Sequence, residues 1–110
     1  TVVVTTDHGS VLCKRGTMAH GKRSTSTNLR YKYGDNLNSD PGDSILIKKP
    51  TEWRLPMLSL ATTYILAKED FFFVYPNNYN EMIRQFHNSF QHGGVSIEEM
   101  VVPVATLNPR

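Results

Sequence analysis

The residues best suited to chemistry are Asp7 and His8, which follow almost directly after the apolar run at residues 2–4. Such an unbroken apolar run predicts a strand buried on both faces of a parallel sheet. Ligands of open α/β sheets bind at the carboxyl ends of the strands, where this pair stands. A carboxylate oxygen and an imidazole nitrogen suit Zn²⁺ or Mn²⁺, and Gly9 allows close backbone approach. The alternative is an ordinary loop with a capping Asp7 and a solvated or packed His8.

A second loop histidine, His92, is followed by two glycines near the other end of the chain. Ser96 and Glu99 have the spacing of a capping box, which predicts a short helix beginning just after the serine. A mostly apolar strand is predicted over residues 101–107. His92 therefore has the same setting as His8, a histidine followed by glycine between two elements. The alternative is that His92 is only a turn residue.

The stretch 14–33 contains six basic residues and no acidic one, and much of it is polar without hydrophobic periodicity. Long loops of this kind are often functional. We expect the loop to collect an anionic substrate, with Arg23 and Arg30 binding phosphate oxygens and Tyr33 beside them. The tyrosine could stack on a base. The alternatives are a solvated surface loop and, over residues 29–33, an ordinary strand.

Composition limits the class of protein. The chain has 110 residues, a net charge of +2 and one cysteine, which is one domain's worth of sequence without a global charge signal for nucleic acid or membrane. No apolar run approaches the ~20 residues of a membrane span, and no signal peptide is visible. The single Cys13 excludes an internal disulfide and is compatible with a cytoplasmic location. Because the sequence starts in an apolar strand without methionine, we expect a piece of a larger protein.

Further elements must position these side chains. Their predicted bounds are a short extended segment at 10–13, a polar loop at 16–28, a strand at 44–48, a β-hairpin with arms 63–68 and 71–75, and a helix from Asn77 or Asn78 to about Ser89. Aromatic and β-branched residues dominate both arms of the hairpin. The helix carries an apolar stripe at helical spacing, which predicts a face packed on the core.

At the two histidine clusters the sequence resembles the alkaline-phosphatase superfamily. Residues 5–9, Thr-Thr-Asp-His-Gly, resemble its late metal-binding motif, and residues 92–103 resemble its closing motif in the form seen in PglZ domains. The C-terminal half is also similar to PorX-type response regulators, in which a receiver domain and a helical region precede a PglZ domain. The resemblance spans essentially the whole chain. It implies an α/β fold: the C-terminal part of an alkaline-phosphatase-like sheet flanked by helices, with the hairpin as an insertion.

The resemblance also implies a hydrolytic site with two metal ions, usually zinc, with manganese as the alternative. By position, Asp7 and His8 would bind the ion that activates the nucleophile, and His92 would bind the other. The superfamily's nucleophilic threonine or serine and its remaining ligands have no counterpart in these residues. We therefore expect residues 1–110 to be the C-terminal portion of one domain, inactive on its own, in a two-component response regulator.

The expected partners follow from the same resemblance. They are a phosphate-ester substrate, with an oligonucleotide favoured by the basic loop, the remainder of the same protein, and a second copy in a homodimer; no membrane contact is expected. One alternative is a non-catalytic module of the same fold that works in signalling or transcription. A third hypothesis is a nucleic-acid-binding module built on residues 14–33, whose affinity would fall steeply with salt and ignore chelators.

Overall fold

The structure is a computed structural model, and it describes residues 1–22 and 26–110 of the chain. Its strands and helices in chain order are β1 (Val2–Thr5), β2 (Val11–Cys13), β3 (Arg15–Met18), β4 (Tyr31–Asp35), β5 (Ser44–Ile47), β6 (Thr62–Ala67), β7 (Phe71–Val74), α1 (Tyr79–Phe86), β8 (Ser89–Gln91), α2 (Ile97–Met100) and β9 (Val104–Leu107). Two 3₁₀ helices span Pro50–Trp53 and Pro76–Asn78. The fold is therefore mixed α/β, with short helices and small sheets.

The strands pair in four small sheets within the described part of the chain. Strand β6 lies between β4 and β5, and both pairings are antiparallel. Strands β3 and β7 pair in parallel, whereas β2 with β8 and β1 with β9 are antiparallel. The last two pairings each join an early strand to a late one. They bring the loop after β1 and the loop after β8 to the same part of the molecule.

The predicted β-hairpin is wrong in its pairing, although both of its strands exist as β6 and β7. Residues Leu29 and Arg30 lie between the two strands instead. The Arg30 carbonyl accepts a hydrogen bond from the Ala67 N–H at 2.8 Å, and the Leu29 carbonyl accepts one from the Phe73 N–H at 2.8 Å. Both edges of β6 are occupied, by β4 with residues 29–30 preceding it and by β5, so no edge of β6 is left for β7.

The predicted polar loop at residues 16–28 is also wrong at its start, because β3 occupies Arg15–Met18. This strand has little hydrophobic pattern of its own, and the apolar β7 beside it supplies its backbone partners. The Thr17 side chain is buried, and its hydroxyl donates to a carboxylate oxygen of Asp43 at 2.9 Å. Tertiary pairing therefore overrides a sequence that reads as loop.

The predicted apolar stripe is present on α1 in part: the helix ends at Phe86 and not near Ser89, and Phe90, the last residue of the expected stripe, lies on β8 and is 70% exposed. The α1 side chains of Met82, Ile83 and Phe86 pack on a buried cluster that includes Phe72 and Val74. A second buried cluster lies around β6 and β7; its members are Ala19, Ile65, Ala67 and Phe73. No helix in the described residues is long and apolar enough to cross a membrane.

Strand β1 forms where the apolar run predicts it, but its surroundings differ from the prediction. It pairs antiparallel with β9 and not within a parallel sheet. Val2, Val3 and Val4 are 57%, 61% and 52% exposed, so both faces of the strand are open. On β9, Val104 and Leu107 are exposed as well. We call this two-stranded unit the apolar ribbon. The expectation that β1 is buried on both faces is not met by the described residues.

Candidate metal centre

The two loop histidines singled out by the sequence lie against each other. His8 follows β1 and His92 follows β8, and their imidazole rings stack with centroids 3.8 Å apart and planes 19° apart. Both side chains are exposed. Asp7 completes the cluster, with a carboxylate oxygen 3.6 Å from Nε2 of His8. The structure thus brings together the three residues predicted as metal ligands.

The tautomer of His8 follows from its backbone contact. Its Nδ1 lies 2.7 Å from the carbonyl oxygen of Gly9. Because a carbonyl oxygen can only accept, this contact assigns the proton to Nδ1 and leaves a lone pair on Nε2 of the neutral ring. Histidines that bind metals in proteins are oriented in this way, with the other ring N–H donated to a carbonyl or carboxylate.

The distance between a carboxylate oxygen of Asp7 and Nε2 of His8 can be compared with that between two ligands of one zinc ion. Two ligands at the tetrahedral angle around a zinc ion lie roughly 3.4 Å apart, close to the 3.6 Å between Asp7 and His8. The lone pair of an imidazole lies in the ring plane, so two nearly parallel rings direct their lone pairs side by side and not to one point. The stacked rings of His8 and His92, with centroids 3.8 Å apart, are close neighbours whose lone pairs lie in separate, nearly parallel planes.

These residues supply only part of a coordination shell. Within residues 1–22 and 26–110, no group of three or more His, Cys, Asp or Glu side chains could hold a metal ion. Zinc in proteins takes four ligands, of which up to three or four come from the protein. Asp7, His8 and His92 are of residue types that zinc takes as ligands, but among the described residues they do not form a group that could hold an ion by itself.

The loop that carries His8 is fixed to α2 through Gly9. The Gly9 N–H donates to the carbonyl oxygen of Glu99 at 2.8 Å. A Cβ atom at this position would lie 1.8 Å from the carbonyl oxygen of Glu98, so only glycine allows the contact. The loop after β1 can therefore approach α2 this closely only because residue 9 is a glycine.

The carboxylate of Glu99 lies in the interior, paired with Arg30. The guanidinium donates to Oε1 and Oε2 of Glu99 at 2.7 Å each, in a fork. The Ser96 hydroxyl and N–H donate to Oε2, at 2.6 and 2.9 Å, and the Glu99 N–H donates to Ser96 Oγ at 3.3 Å; the two backbone N–H bonds form the predicted capping box of α2. Arg30 also donates to the carbonyl oxygens of Lys68, at 3.2 Å, and Phe71. Every side-chain nitrogen and oxygen of the pair has at least one protein partner, as a buried pair requires.

The loop that carries His92 is held by the same carboxylate. The Gly94 N–H donates to Oε1 of Glu99 at 2.9 Å. A Cβ atom at Gly94 would lie 2.6 Å from the Arg30 guanidinium and 2.7 Å from the carbonyl oxygen of Ala67. The backbone after His92 therefore passes directly over the buried ion pair, where a larger residue does not fit.

Two pKa shifts accompany this packing. Burial raises the pKa of Glu99, but hydrogen bonds from Arg30 and Ser96 and from the Gly94 N–H outweigh it and bring the pKa to about 2. Glu99 is therefore an anion at neutral pH. Burial raises the pKa of Cys13 to about 11. Its thiol stays protonated at neutral pH and is no nucleophile.

The residues predicted to bind substrate are placed differently. Arg30 is 0% exposed, and its guanidinium is occupied by Glu99 and by backbone carbonyls, so the prediction that it binds substrate phosphate is wrong for this structure. Tyr33 is half-buried on β4 and stacks on Tyr64 with ring centroids 5.4 Å apart. Arg23 lies outside the described residues.

Sequence reasoning missed Glu99 and Arg30 as residues that organise the site. Glu99 is recognisable in the sequence as the capping residue of α2, which it is. Arg30 looks like one more cation of a polar loop, because its partner lies 69 residues away. A pair of this separation carries no local signal.

The structure places two loop histidines and a carboxylate side by side on a mixed α/β scaffold. A family model described as "BREX system PglZ alkaline phosphatase-like domain" matches residues 1–107. The chain therefore belongs to the PglZ family of alkaline-phosphatase-like domains, as the two motifs predict. Its fold is of the phosphoesterase type, and the family indicates a hydrolase. A search of curated proteins gives no match.

Proposed function

We propose that this chain is the metal-binding C-terminal part of a PglZ phosphoesterase domain that hydrolyses phosphate esters. The observation that carries the proposal is the contact between His8 and His92, with ring centroids 3.8 Å apart, although the residues come from opposite ends of the chain. Two exposed histidines with a carboxylate beside them have the donor chemistry of a zinc site. Family membership supplies the reaction class.

In this proposal Asp7 and His8 hold one zinc ion and His92 holds the second. Two zinc ions supply Lewis-acid charge to the attacking and leaving oxygens of a phosphate ester. The chain's own residues orient the donors: the Gly9 carbonyl fixes the ring of His8, and the contact with α2 fixes the loop. The nucleophile and the remaining ligands come from polypeptide beyond residues 1–110.

The apolar ribbon supports the idea that the chain is completed by further polypeptide of the same domain. An isolated two-stranded ribbon is marginally stable in water, and contiguous exposed apolar surface of this kind marks an interface. Val3 is 61% exposed and Val104 67% exposed, so apolar side chains of both strands lack cover in the described residues. We propose that upstream strands of the PglZ domain cover the ribbon.

The substrate and the cellular context are finer proposals. The basic stretch 14–33 supports a polyanionic ester such as an oligonucleotide, since it still has exposed Lys14 and Lys22. We propose a response regulator with an upstream receiver domain, on the motif resemblance of the C-terminal half to PorX-type proteins alone. The upstream sequence decides the context, because a receiver domain is recognisable from sequence alone.

The deciding experiment uses the full-length protein, a chromogenic phosphodiester and elemental analysis of bound metal. His92→Ala is expected to reduce hydrolysis to background and to lower the bound zinc from two ions. The matched control is His87→Ala, since His87 is an exposed histidine at the end of α1. Wild-type turnover in His92→Ala would refute the metal assignment. A folded, zinc-free wild-type protein without hydrolysis would favour the non-catalytic module.

A further inference from the structure

One residue contacts the backbone of both histidine loops. The main-chain carbonyl of Glu99 accepts from the N–H of Gly9, the residue after His8, at 2.8 Å. The side-chain Oε1 of the same residue accepts from the N–H of Gly94, two residues after His92, at 2.9 Å. The carboxylate of Glu99 faces the interior and is 3% exposed. Both histidine loops are therefore hydrogen-bonded to one residue of α2.

We propose that Glu99 is a positioning residue of the metal centre and that Arg30 holds Glu99 in place. The inference rests on the proposed function, because it concerns the same pair of histidines. Arg30 links α2 to the connection between β6 and β7, through its fork to Glu99 and its bonds to the carbonyls of Lys68 and Phe71. Through Arg30 and Glu99, the connection between β6 and β7 is thereby joined to both histidine loops.

The loops need to be held in this way because the side chains of the proposed ligands are exposed. The side chain of His8 is 43% exposed and that of Asp7 86% exposed, so packing around the side chains does little to fix them. Metal–ligand distances must hold within about 0.2 Å. The ring of His8 is oriented by the Gly9 carbonyl and by stacking on His92, and backbone hydrogen bonds next to the ligands fix the two loops; Glu99 accepts one such bond from each loop.

The test compares the full-length wild-type protein with Glu99→Gln. The glutamine keeps the shape of the side chain, but its NH2 group cannot accept from Arg30 or Ser96 as the second carboxylate oxygen does, so the hold of Arg30 on α2 is weakened. We expect about 10- to 100-fold weaker zinc binding in calorimetry. We also expect loss of the nuclear Overhauser contact between the rings of His8 and His92 in histidine-labelled, metal-free protein. The control is Asp70→Asn, which weakens the exposed ion pair of Arg15 and should change neither readout.

The outcomes separate this inference from the proposed function. A folded Glu99→Gln variant with wild-type zinc affinity and an intact ring contact overturns the positioning role. If the wild-type protein binds no zinc, the proposed function fails, while the ring contact still tests the role of Glu99. If Glu99→Gln does not fold, Ser96→Ala decides, because it keeps the carboxylate and removes the 2.6 Å hydroxyl bond to Oε2 together with the N-cap bond that Oγ accepts from the Glu99 N–H. An unchanged ring contact and affinity in that variant would also refute the inference.

Discussion

Two arginines of this chain form multiple hydrogen bonds to carboxylates, in opposite surroundings. Arg30 and Glu99 are 0% and 3% exposed in their side chains, whereas Arg15 is 51% exposed and is shared between Asp70 and Glu69. A buried pair loses the solvation of both ions and becomes costly to break, while an exposed pair remains solvated and is screened by salt. The same chemistry therefore serves as a structural centre in one place and as a surface contact in the other.

The largest expected effect is on stability when one member of the buried pair is removed. Glu99→Ala leaves the Arg30 charge buried without its carboxylate, so we expect a loss of about 3–5 kcal/mol in the free energy of unfolding, measured by urea denaturation. The double variant Arg30→Met, Glu99→Leu should recover part of this loss, because no buried charge remains. A loss below about 1 kcal/mol in the single variant would mean that the pair is solvated in solution.

Lowering the pH should remove a contribution of similar size to the free energy of unfolding. The pKa of Glu99 is about 2 in the folded state, below its ordinary value of 4.5. A lowered pKa stabilises the fold above the ordinary value, and the stabilisation is lost as the pH falls from about 4.5 through 2. The shift corresponds to about 3 kcal/mol. Urea unfolding measured between pH 7 and pH 2 should show this loss, and Glu99→Gln should show a flatter pH profile over that window.

A smaller effect is expected from crowding the pair without changing its charges. Gly94→Ala places a methyl group 2.6 Å from the Arg30 guanidinium and 2.7 Å from the Ala67 carbonyl, so one of them must move. We expect a loss of about 1–3 kcal/mol in thermal or urea unfolding. Gly34→Ala is the control, since its nearest atom lies at an ordinary 3.5 Å. Equal stability of the two variants would contradict the tight packing over the pair.

The sequence predicts several local elements of this arrangement but not the buried pair of Arg30 and Glu99, and the physical reasons can be named. The two histidine motifs, the apolar stripe of α1 and the capping box of Ser96 and Glu99 are local patterns, and the structure contains the box and part of the stripe. The insertion of Leu29 and Arg30 between β6 and β7 depends on backbone partners distant in sequence. An arginine in a polar stretch has the same local signature whether it ends in solvent or in the core. Burial is therefore the information that the sequence alone does not carry here.

The smallest expected effect belongs to the exposed pair and depends on salt. The hydrogen bond from Arg15 lowers the pKa of Asp70 and outweighs burial, which raises it. Asp70→Asn should lower the urea midpoint only slightly at low ionic strength, and the difference from wild type should vanish near 1 M salt, where screening acts over about 3 Å. The deficit of Glu99→Gln should persist at the same salt concentration, because solvent ions do not reach the buried pair. The Arg15 guanidinium also lies 4.0 Å from the ring centroid of Phe71. If the loss of stability in Asp70→Asn does not depend on salt, the Arg15 pair acts as a packed contact and not as a screened surface pair.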